Sequence, residues 1–178
     1  MTAFHPDRNQ MKDVFPDIEE RKWIMMGLLY DEVTFLNFDQ TYTPQKRLRH
    51  LPHEWIDLND IQQTKRYCTN QSLTAIHHRL KRRSNTGITF IGSGSYHYVS
   101  YLLLSEITEP FSLILFDYHT DMNASSPAHL ISCGSWVKLA IARLPLLQKV
   151  VIIGSHPEPE PFVHPLLRAK TIVFPHHL

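Results

Sequence analysis

Asp117, His119 and Asp121 alternate with Tyr118 and Thr120 where the apolar run Ser112–Phe116 stops. In extended backbone, residues two apart point the same way, so two carboxylates and an imidazole would share one side. That donor set suits a divalent Mn, Fe or Zn ion. The plainer reading is a strand followed by a polar, turn-forming loop. A second feature is Gly92-Ser93-Gly94-Ser95-Tyr96-His97, a small-residue loop ending in histidine. Ligands collect at the carboxyl ends of parallel strands, so His97 at a helix start there could reach the same crevice as the triplet. Taken alone, such a residue is more often a capping or buried structural histidine. The stretch only weakly resembles a phosphate-binding loop, because the G-x-G-x-x-G spacing breaks at His97 and no Walker lysine follows.

The elements that must position these residues lie in the second half of the chain. Ile88 to Ile91 reads as a strand, Tyr96 to Ile107 as a helix and Phe111 to Phe116 as the central strand, buried on both faces. Gly134 to Leu144 is helix-like, Lys149 to Ile153 is a strand ended by Gly154, and Thr171 to Phe174 is another. Pro157, Pro159, Pro161 and Pro165 exclude one regular helix between the last two strands. Strands alternating with helical crossovers predict an α/β domain with a parallel sheet. Earlier in the chain, residues 1–17 read as a loosely held lead-in, and Lys22–Tyr30 as a strand or buried helix turn. Val33–Phe38 favours a strand, and Thr41–Asp57 should be mostly loop with a short strand at Trp55-Ile56. Asn70 can cap a helix over 71–81, before a turn at Asn85-Thr86-Gly87.

The 178 residues suit one domain spanning 1–178. A formal charge of +1 gives no reason to expect a nucleic-acid partner, and Lys81-Arg82-Arg83 reads as a solvated helix end. No apolar stretch approaches membrane-spanning length, and the N-terminus has no signal-peptide core, so no membrane is expected. Cys68 and Cys133 do not make a disulfide framework, which makes a reducing cytoplasm the default. His77, His78, His176 and His177 read as surface or loop residues. Trp23, Trp55 and Trp136 read as core or edge packing.

In combination, Gly92 to His97, Phe116-Asp117-Tyr118-His119-Thr120-Asp121-Met122-Asn123 and Ser132-Cys133-Gly134 resemble the order of motifs in the arginase (ureohydrolase) superfamily. The resemblance covers Ile88 to Ile153. It implies a three-layer α/β/α fold with a mainly parallel sheet and a binuclear manganese site at its carboxyl edge. There, water is activated for attack on a guanidinium or related carbon. His97 and Asp121 would bind one metal, His119 the other, and Asp117 would bridge them. Asp121 would also be catalytic, and Asn123 matches a position that contacts substrate. Manganese is the cofactor implied, with zinc or iron as alternatives that the same ligands serve.

Three departures accompany the resemblance. No stretch matches the family's second acidic motif, Ser-x-Asp-x-Asp, which supplies two further carboxylates. The acid usual before the loop histidine is absent. Cys133 stands where the family places a histidine before glycine, as a proton shuttle. A thiol there is a candidate nucleophile or soft ligand, or else a small buried residue at a helix start. Two readings follow. One is a metal-dependent hydrolase of C–N bonds in guanidino or related amide and amidine substrates. The other is a catalytically impaired or truncated arginase-like domain with a binding or scaffold role. A small-molecule substrate is the partner expected of the first, with a homo-oligomer left open as the source of missing ligands.

Overall fold

A computed structural model describes residues 33–50, 52–84, 87–123, 130–156 and 165–176. The readings made for residues 1–17 and 22–30, most of the turn at 85–87, and His177 lie outside the described residues. Among the described residues the strands are β1 (Val33–Asn37), β2 (His53–Asp57), β3 (Tyr67–Thr69), β4 (Ile88–Phe90), β5 (Phe111–Phe116), β6 (Leu130–Ser132), β7 (Leu147–Ser155) and β8 (Thr171–Pro175). The helices are α1 (Lys46–Arg49), α2 (Asn70–Leu80), α3 (Val99–Leu104), α4 (Trp136–Arg143) and α5 (Pro165–Lys170). The strands form two three-stranded parallel sheets, β2-β1-β4 and β5-β7-β8, and a separate antiparallel pair, β3-β6. The chain is thus mixed α/β with mostly parallel strands. No helix among the described residues is long and apolar enough to cross a membrane.

The strand buried on both faces is β1, not the 111–116 strand. Phe35 on one side of β1 lies flat against Phe90, with ring centroids 4.9 Å apart, and also meets Tyr42 and Trp55. Leu36 on the other side joins the main core with Ile76 and Leu80 of α2, Val99 and Leu102 of α3, and Val137 and Ile141 of α4. Strand β5 buries Leu115 on that core but turns Ser112, Ile114 and Phe116 outward, with Phe116 77% exposed. Its outer residues pair in register across the sheet as Ile114–Val151–Ile172 and Phe116–Ile153–Phe174. A short apolar run is compatible with burial on one face or two; what stacks on it decides, and among the described residues α4 and α5 join the core on the inner face.

Several boundaries move for identifiable reasons. Thr69, not Asn70, caps α2: its hydroxyl accepts from Ser72 N at 3.2 Å, and Asn70 is the first helical residue. The helix expected over 96–107 splits into a 3-10 turn, Gly94–Tyr96, and the shorter α3. Helix α5 occupies part of the proline-rich interval, with Pro165 at its first position, where a missing N–H costs no helical bond. Segment 53–57 is a full strand rather than two residues of one, because it pairs with β1 along its whole length.

Candidate metal centre

His97 is placed by a loop fixed on three sides. Gly92 turns the chain after β4 with φ +88°, where a Cβ would meet the Tyr96 ring at 3.1 Å. The Tyr42 hydroxyl accepts from Gly92 N at 2.7 Å and donates to Gly92 O at 3.0 Å, holding both sides of that residue. Tyr96 stacks on Phe38, with centroids 4.3 Å apart and planes 9° off parallel. Behind the loop, Arg66 in the left-handed conformation (φ 65°) donates its N–H to Ser95 O and accepts from Cys133 N. One backbone unit therefore links the His97 loop to the Cys133 turn.

The triplet does not continue as an extended strand, so its three side chains do not share a side. Asp117 stays on the sheet through a bond from its N–H to Ile153 O. Its Oδ1 then accepts from His119 N at 2.9 Å, turning the chain. Asp121 adopts φ 52°, a conformation uncommon outside glycine though least so for Asp and Asn. The turn leaves His119 with a 76% exposed side chain, while Asp121 is 6% exposed.

The turn gathers three of the four expected ligands. His97 Nδ1 lies 3.0 Å from Asp121 Oδ2 and 3.3 Å from Asp117 Oδ2. The ligand atoms of His97, Asp117 and Asp121 all fall within 4.8 Å of one another. Neighbouring ligands about 2.1 Å from one octahedral ion stand roughly 3.0 Å apart, so the spacing and donor set fit a divalent cation. His119 is outside this trio, but its Nδ1 is 3.4 Å from Asp117 Oδ1. The two oxygens of Asp117 thus face opposite ways, one towards the trio and one towards His119.

Cys133 and Asn123 border the cluster. Cys133 sits in a turn closed by Ser132 and Ser135, whose hydroxyls are 2.8 Å apart. Burial first, and the nearby Asp121 charge second, push its thiol above the usual range, which disfavours a thiolate nucleophile at neutral pH. Asn123 is exposed and lies against Gly134: its N–H bonds Gly134 O at 2.9 Å, and a Cβ at Gly134 would meet Asn123 Nδ2 at 3.2 Å. An open cleft lined by Glu54, Trp55, Asp57 and Arg79 shares no residue with the cluster.

Trp136 is the site residue that sequence reasoning assigned only to packing. Its Nε1 donates to Asp121 Oδ2 at 2.6 Å, and its ring lies 5.0 Å from the His97 ring. Only its place at a helix start, two residues past Gly134, could have drawn notice. Arg66 carried no signal at all, since its role is played by backbone.

No family model matches the chain, and no solved structure matches it. The chain is similar to an uncharacterized protein of Thermotoga maritima, 27% identical over 139 residues. That alignment covers 78% of this chain and 54% of the relative, so the chain spans about half the length of the curated relative it matches.

Proposed function

We propose that this chain carries the metal-holding part of an arginase-like hydrolase of C–N bonds in guanidino or related amide and amidine compounds. The observation behind this reading is the convergence of His97, Asp117 and Asp121 at 3.0–3.3 Å, from two separate segments, beyond the ends of parallel strands. The motif order and the mostly parallel α/β architecture support it, and a three-layer α/β/α arrangement belongs to the same proposal. A bound divalent ion, manganese first, would lower the pKa of a water and polarise the carbon it attacks. His97, Asp117 and Asp121 would hold that ion. The Asp121 carboxylate, held by the Trp136 indole, would stand beside the water the ion activates and serve the reaction by orienting it. Asn123 at the rim would meet the substrate, and the outward oxygen of Asp117 would extend the site towards His119. A cytoplasmic setting goes with this proposal.

The second reading, a binding or scaffold domain, draws on the exposure of His119, which stands outside the gathered trio. Metal content of manganese-supplemented protein separates the two, measured on wild type, Asp117→Ala and His119→Ala. Bound manganese that disappears in Asp117→Ala is the expected result. Metal content unchanged by that substitution would remove the site assignment. Metal binding without turnover on guanidino compounds would favour the scaffold reading.

A further inference from the structure

We propose that Trp136 is a positioning residue that holds Asp121 and His97 in ligand geometry, an inference that rests on the metal reading above. Three contacts converge on this one residue and its neighbour. The indole N–H bonds Asp121 Oδ2 at 2.6 Å, which fixes the rotation of the carboxylate. The indole ring packs 5.0 Å from the His97 ring at 54°, which limits the swing of the imidazole. The next N–H along, from Val137, bonds Asp121 O at 3.1 Å. Asp121 is therefore gripped at both its backbone and its side chain by the first turn of α4, and the grip holds it at φ 52°.

The donor is costly to place there without a purpose. Trp136 is 1% exposed and Asp121 is 6% exposed, so the pair is removed from water. A phenylalanine would fill much of the same core space with no polar atom to satisfy. Indole instead brings one N–H, and that N–H is spent on a carboxylate that also faces His97. Partners that orient ligands from outside the ion's own shell typically contribute about 10–100-fold in metal affinity. Trp136 has the geometry of such a partner for two ligands at once.

The test replaces Trp136 with 3-benzothienylalanine, which keeps the bicyclic ring and exchanges the N–H for sulfur, beside Trp136→Phe. Mn(II) affinity is read from the EPR signal of free ion, and folding from thermal unfolding. The expected result is about 10–100-fold weaker binding in both variants, with unfolding of the isostere close to wild type. A purely packing role would leave the isostere at wild-type affinity, and that result overturns the proposal while the metal site stands. Wild-type protein that binds no Mn(II) overturns the metal reading and this inference together. A third measurement needs no change at Trp136: with Trp23 and Trp55 both replaced by Phe, Mn(II) should quench the remaining fluorescence. Metal binding without quenching would place the ion away from the indole and sink the proposal.

Discussion

At Asp121 a left-handed backbone, a buried carboxylate and an indole donor coincide. Each is tolerable alone; together they are the kind of local cost that surrounding structure must hold in place. The two cysteines show the same dependence on surroundings. Cys68 is fully buried and its thiol is pushed up to about 11 by desolvation, whereas Cys133 is half-buried beside the cluster. The folded state keeps the Cys68 proton that an unfolded chain would release. Stability from this group is thus complete below the unfolded thiol's value and declines as pH rises towards about 11. Iodoacetamide at neutral pH should alkylate Cys133 well before Cys68, with peptide mass mapping as the measurement. Equal rates would mean that the β3–β6 region opens readily. None of this was legible at residue level, since the letters D, W and C carry no record of φ or burial.

Among the elements, the loop from Gly92 to His97 carries the chain from a strand end to the candidate ligand His97. Gly92→Ala should cost roughly 1–2 kcal/mol for the left-handed backbone, with the Tyr96 ring contact adding to it. Tyr42→Phe removes the hydroxyl that serves both sides of Gly92 and should cost about 1 kcal/mol. Urea unfolding measures both, and Mn(II) affinity should fall with Gly92→Ala because His97 is carried by the same turn. This loop was legible in sequence because glycines between an apolar run and a helix have few other uses. So were β4, β5, β7 and β8, each an apolar run bounded by turn residues. The β3–β6 pair was not: three-residue strands show no measurable alternation, and their partners lie far apart in the chain. The sidedness of Asp117, His119 and Asp121 was misread for a related reason. Alternation was extended past Phe116, where the Asp117 side chain ends the strand by bonding its own loop.

At the scale of the whole molecule, two cores are formed, and among the described residues one face of the β5-β7-β8 sheet carries exposed apolar side chains. Ile114 is 60% exposed, Phe174 56% and Ile172 46%, in two aligned rows with Phe116. Contiguous apolar surface of this kind draws hydrophobic dyes and other apolar surfaces. Replacing Phe116 and Phe174 with Ser should lower anilinonaphthalene sulfonate fluorescence and any self-association seen by sedimentation. Stability should change by no more than about 0.5 kcal/mol per site, as for other exposed positions. Undiminished dye binding would place the sticky surface elsewhere.

The backbone of Arg66, joined to Ser95 on one side and Cys133 on the other, has a consequence for the order of synthesis. All three candidate ligands have been polymerised by residue 121, yet the strand that pairs with β3 and the indole that grips Asp121 come later. A growing chain folds from its N-terminal side as it emerges. While residues 122–143 are still inside the ribosome, it holds the ligands without the clasp that gathers them. On the metal proposal, free cations would meet a set of separate side chains until α4 docks, and only then the gathered trio.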